Sequence, residues 1–188
     1  MSKKIFCLAL ALMMLVCSTA FAASSKTNGS VSSGYVGSTG DEFDESFTLI
    51  ADPTKDVIAQ AALKTVLDAV AANGGAVVKA FGPEVEAFLS ALEGVDVSTL
   101  DVATLFALTI ASYDATYGDV VIAFDTTLAD DANVVAAVLG AVNGEDITWY
   151  ALDAESAADG KINVTFTQDV LTQVTDIPDL VLAVLTAE

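Results

Sequence analysis

Histidine and arginine are absent from this chain, and its only cysteines, Cys7 and Cys17, sit near the N-terminus. Without an imidazole to carry the proton, Ser-His-Asp and Cys-His relays are excluded. Zinc, copper and haem sites built on His or Cys go with them. Basic charge is scarce: seven lysines stand against 26 acidic residues, a formal net charge of −19. A phosphate backbone needs clustered Lys or Arg, so nucleic acid is excluded as a partner. An anionic membrane surface is excluded on the same ground. No phosphate-cradling loop is present either, since Asn73-Gly74-Gly75 lacks the lysine and the strand–loop–helix setting of a P-loop.

Long apolar runs are equally scarce, and the one that exists is at the start. Lys3 and Lys4 precede an apolar stretch over residues 5–16, and Ala20-Phe21-Ala22 supplies small residues at −3 and −1 of a cleavage site. This is the pattern of a secretory signal peptide over residues 1–22. The expected destination is the periplasm, the cell surface or the medium. Cleavage would remove both cysteines and two lysines, leaving five lysines against 26 carboxylates, a net charge of −21 and no means of forming a disulfide. A lipid anchor at Cys17 is the alternative, but Met14-Leu15-Val16 lacks the small residue that normally precedes a lipidated cysteine. No later run approaches the roughly 18 apolar residues of a membrane span. The densest, residues 105–111, is bracketed by Asp101 and Asp114. No integral membrane segment is therefore expected after cleavage.

What remains, about 165 residues rich in Ala, Val and Leu, suits one domain with a substantial core. Residues 23–41, mostly Ser, Gly and Thr, read as a flexible leader. Residues 42–95 read as a helical segment, after a short candidate strand at Phe47-Thr48-Leu49-Ile50. Asp52 and Pro53 are an N-cap and a first helical residue, and Leu63, Val66, Leu67 and Val70 make one apolar stripe. Asn73-Gly74-Gly75 ends that helix. A second opens at Pro83 with Glu84 and Glu86 in its first turn, and Val85, Phe88, Leu89 and Leu92 form its stripe. Residues 76–81 fit helix or strand.

From residue 96 to 188 the period shortens to two. Ile162, Val164 and Phe166 alternate with Asn163, Thr165 and Thr167, the in–out pattern of a half-buried strand. Residues 147–152, 120–124, 180–185 and 105–113 read as further strands, and 134–142 fits helix or buried strand. The acidic segment containing Asp159-Gly160 joins two of them as a hairpin. The fold class expected is α+β, two N-terminal helices packed on an antiparallel β-sandwich. The alternative is an all-β sandwich with a separate helical extension.

Gly118-Asp119-Val120, then Thr148-Trp149-Tyr150-Ala151-Leu152, then the run from Asp159 through Phe166 and the closing Leu182-Ala183-Val184-Leu185 resemble C-terminal immunoglobulin-like modules of bacterial exported proteins. The resemblance covers about residues 118–185. It implies a scaffold without an activity, and it departs from true immunoglobulin domains in lacking the cysteine pair around the core tryptophan.

Two chemistries survive the exclusions. A carboxylate pair could act as acid and base on a glycosidic bond. Such sites offer aromatic stacking surfaces, whereas Trp149, the one tryptophan, lies in an alternating strand as a core residue does. Calcium takes carboxylate and carbonyl oxygens, and three acidic clusters qualify: Asp41, Glu42, Asp44 and Glu45; Asp130 and Asp131; and Asp153, Glu155 and Asp159 in the hairpin loop. The last is the candidate metal site, because a turn can converge three carboxylates; the competing reading is a solvated acidic loop. Asn28 and Asn163 begin glycosylation sequons, to which short chance matches give little weight. Crowded carboxylates with few basic partners are expected to have raised pKa values. No catalytic residue and no organic cofactor is expected. The function expected is that of an exported, non-enzymatic envelope or surface module with a structural or interaction role and a protein or envelope partner. A calcium-stabilised binding module is the alternative, and a carbohydrate-acting enzyme stands behind it.

Overall fold

The computed structural model describes residues 31–36 and 47–188, apart from 126–127, 129–132 and 158–160. The elements in chain order are β1 (Val31–Val36), β2 (Thr48–Ala51), α1 (Asp56–Ala72), α2 (Pro83–Ser90), β3 (Asp101–Ala111), β4 (Val120–Asp125), β5 (Val134–Asn143), β6 (Asp146–Ser156), β7 (Lys161–Phe166), α3 (Gln168–Val174) and β8 (Leu180–Thr186). The strands pair antiparallel throughout, in the order β1-β4-β7-β6-β5-β8-β3-β2.

Strand β6 turns this sheet over. Its residues 147–152 pair with β5, and from Asp153 onward the strand pairs with β7 instead. The sheet folds back on itself into a sandwich-like arrangement, nearly closed as a barrel. One core lies inside the fold. Leu49 of β2, Phe106 and Leu108 of β3, Ile122 and Phe124 of β4, Leu139 of β5, and Val164 and Phe166 of β7 all meet there. Leu171 and Val174 of α3 also belong to this core, and both are fully buried.

A second core lies on the other side of β3, β8 and β5, under α1 and α2. Ala59, Ala62 and Val66 of α1 and Val85 and Leu89 of α2 are buried against Leu105, Ala107, Val138, Val181, Ala183 and Leu185. Strand β8 is therefore covered on both faces. Leu180, Leu182 and Val184 point into the first core, and Val181, Ala183 and Leu185 into the second. An unbroken apolar run is what such a central strand requires, and that is the composition of residues 180–185.

Several expectations change at this point. The buried row of α1 is Ala59, Ala62 and Val66, with Ile58, Leu63 and Val70 flanking it. Leu67 stays half-buried at the side, because the helix faces the sheet with the row of Ala59, Ala62 and Val66. In α2, Phe88 is only half-buried, while Val85 and Leu89 are buried to 1 % and 0 % exposure. Residues 77–79 form a 3-10 turn, and 134–143 is strand. Within the Ser/Gly-rich stretch, Val31–Val36 forms an edge strand against β4, order that comes from pairing. Strand β2 pairs with β3, so the sheet begins upstream of residue 96 and α1 and α2 are inserted within it. Helix α3 and the β5–β6 hairpin are additions to the expected elements. The hairpin turns at Gly144 and Glu145, with Gly144 at φ 66°, a backbone region that glycine enters without strain.

Candidate functional site

The proposed calcium ligands are only partly placed. Asp153 and Glu155 lie two residues apart on β6, both exposed and so on the same face of the strand. Asp153 stands opposite Thr165, and Glu155 opposite Asn163, whose amide donates to Glu155 Oε1 at 3.4 Å. Asp159 lies outside the described residues, as do Asp41, Glu42, Asp44, Glu45, Asp130 and Asp131. Among the described residues, no three carboxylates gather in a cluster that could hold a metal ion.

Trp149 takes its place in the core under the helices. It sits opposite Gly140 on β5, and a Cβ on Gly140 would fall 2.5 Å from the indole Cζ3. The missing side chain lets the ring lie on the strand, and Phe81 meets it edge-on with centroids 5.1 Å apart. A second aromatic group closes the other core: Phe47 meets Tyr113 and Tyr117 edge-on at 6.0 and 5.7 Å. The Tyr113 hydroxyl donates to Gly118 O at 2.7 Å, and burial, with Asp119 and Asp114 nearby, raises its pKa.

Carboxylates recur in one local device. Asp52, Asp96 and Asp114 each open a 3-10 turn and accept from the backbone N–H two residues on, at 3.0, 2.9 and 2.8 Å. The hydroxyls of Thr54 and Ser98 donate to the same oxygens of Asp52 and Asp96. Asp52 also accepts from the Thr109 hydroxyl at 2.8 Å, while its own N–H donates to Ala107 O, so it pins the entry of α1 to β3. All three have pKa values below the usual 3.8. The main cause is the Thr54 hydroxyl for Asp52, the Ser98 hydroxyl for Asp96 and the Thr116 backbone N–H for Asp114. These three carboxylates thus move opposite to the crowding expectation, because local donors stabilise each anion more than burial disfavours it.

The feature that sequence reading did not find is a groove of about 480 Å³ between α1 and the β5–β6 hairpin. Val57, Ala61 and Thr65, spaced four residues apart, form its helical wall. Val142 and Ile147, opposite each other across the hairpin, form the facing wall. Glu145 stands exposed at the turn, and Asp179, whose carbonyl accepts from Val142 N–H, is met by Lys55 at 3.5 Å. The Lys55 ammonium also donates to Pro178 O. A signal for the groove was present, because Val57 falls outside the buried row of α1 and Asn143-Gly144 marks a tight hairpin.

No protein-family model, curated protein or solved structure matches the chain. The chemistry must be read from its own residues. Among those described, every buried residue is apolar, and no helix is long and apolar enough to cross a membrane.

Proposed function

We propose that this protein is an exported, non-enzymatic module of the cell envelope or surface, with a structural or interaction role. The observation that carries the reading is an apolar double core beneath an acid-rich exterior, with an apolar groove open on it among the described residues. Such a molecule is built to be stable and to present a surface. The leader over residues 1–22 supports export, and the resemblance to immunoglobulin-like modules of exported proteins agrees with a scaffold. The partner would be a protein or another envelope component.

The test is expression in a bacterial host, followed by fractionation and intact-mass measurement. The expected product lacks residues 1–22 and leaves the cytoplasm, with no added lipid at Cys17. A full-length chain retained in the cytoplasm would overturn the reading. A second reading, calcium held by Asp153, Glu155 and Asp159, draws on the first two sharing one face of β6. Millimolar calcium would then raise the melting temperature of the wild type and not of Asp153→Asn; calorimetry without heat and a thermal shift of zero would dispose of it.

A further inference from the structure

We propose that the groove between α1 and the β5–β6 hairpin docks an apolar peptide segment of a partner protein that carries lysine or arginine beside its apolar side chains. The inference rests on the interaction reading above and assigns that interaction a surface.

Val57 is the starting point. It is 78 % exposed, while Ile50, at 43 %, is the other large apolar side chain left open among the described residues. Most other large apolar residues pack into or against the two cores, so an exposed valine at the mouth of an apolar groove stands out from the rest of the surface. The groove, at about 480 Å³, has room for several side chains and lies within the range of sites that hold ligands, roughly 300–1,000 Å³. Ala61 contributes only a methyl group to the helical wall, which keeps the groove open.

Charge decides which occupant fits. Asp179 is answered by Lys55, but among the described residues no lysine forms an ion pair with Glu145. A second copy of this chain would bring another −19 to the contact, with few lysines to offset it. A fatty acid or phospholipid would bring an anion into a groove lined by Glu145 and Asp179. An apolar peptide with cationic neighbours satisfies both requirements: apolar side chains cover Val57, Val142 and Ile147, and an ammonium or guanidinium group faces Glu145.

Fluorescence anisotropy with the purified full chain tests this, in about 0.15 M salt, where the Debye length is about 8 Å and diffuse attraction is damped. The probes are a labelled octapeptide of alternating leucine and lysine, its leucine–glutamate counterpart, and palmitate as a competitor. The leucine–lysine peptide is expected to bind and the other two to leave it undisturbed. Ala61→Glu, at an exposed position of α1, fills the groove and should weaken binding at least tenfold. Ala87→Glu, at an exposed position of α2, should leave it unchanged. Both variants add one negative charge, so general attraction to an acidic protein would strengthen both equally. Val57→Asp provides a second groove variant should Ala61→Glu melt early. Equal binding by wild type and both groove variants, displacement by palmitate, or no binding of the leucine–lysine peptide would each overturn the proposal. None of these results touches export, which fails separately by cytoplasmic retention.

Discussion

Gly140 shows how one residue's missing side chain can organise a core. The indole of Trp149 occupies the space a Cβ would need, and Phe81 packs edge-on against that indole. Gly140→Ala therefore has no easy relaxation. Overpacking of this kind costs about 1–3 kcal/mol, and in a domain of this size each kcal/mol lowers the melting temperature by about 2–4 °C. Calorimetry should show that drop, together with a changed Trp149 emission; an unaltered melt would mean that the indole is free to move. Asp52 supports a second expectation at this scale. Its pKa is lowered in the folded state, so its contribution is fully present above about 3.8 and is lost as pH falls through the lower folded value. Asp96 and Asp114 act in the same direction. Denaturant midpoints should fall between pH 5 and pH 3, and fall less in Asp52→Asn; an equal loss in both would show that other groups govern the acid limb.

At the scale of elements, the arrangement turns on β8 and the two helices over it. Leu89 is fully buried and Phe88 only half-buried, so Leu89→Ala should be the more damaging substitution in α2. Replacing a buried leucine with alanine costs about 2–5 kcal/mol. The melting temperature should fall by several degrees, and by less for Phe88→Ala. Residues 95–188 alone should be much less stable than the longer chain, since they would expose Val138, Val181, Ala183 and Leu185 and lose β2, one of the two strands that pair with β3. Val138, Val181 and Leu185 each contribute roughly 1.5–3 kcal/mol on burial. A fragment as stable as the whole would show that the helices are dispensable.

For the molecule as a whole, the dominant quantity is its charge. A net charge of −19 with seven lysines leaves most carboxylates without a basic partner, and their mutual repulsion opposes the compact state. Screening shortens the reach of that repulsion, from about 30 Å at 0.01 M salt to about 3 Å at 1 M. At pH 7 the melting temperature should rise with sodium chloride over this range. A fall would mean that attraction within ion pairs such as Lys55–Asp179 outweighs the repulsion. Solubility should be lowest near the isoelectric point, about 4.1.

The local features could be read from the chain alone. Missing histidine removed whole classes of chemistry. Pro53 and Pro83 marked where helical structure begins, Asn73 to Gly75 marked where α1 ends, and the alternation from Ile162 to Phe166 marked a strand with one buried face. These depend on neighbouring residues, and periodicity records them. Other features needed the folded chain. Residues 134–142 became strand because β6 and β8 lie on either side of them. Val31–Val36 gained order by pairing with β4, some ninety positions away. The choice of Ala59, Ala62 and Val66 over Leu67 came from which side of α1 the sheet meets. The groove, too, exists only because a helix and a hairpin distant in sequence are held apart by the packing beneath them. Local sequence states which side of an element is apolar; only tertiary structure decides what covers that side and where cover is missing.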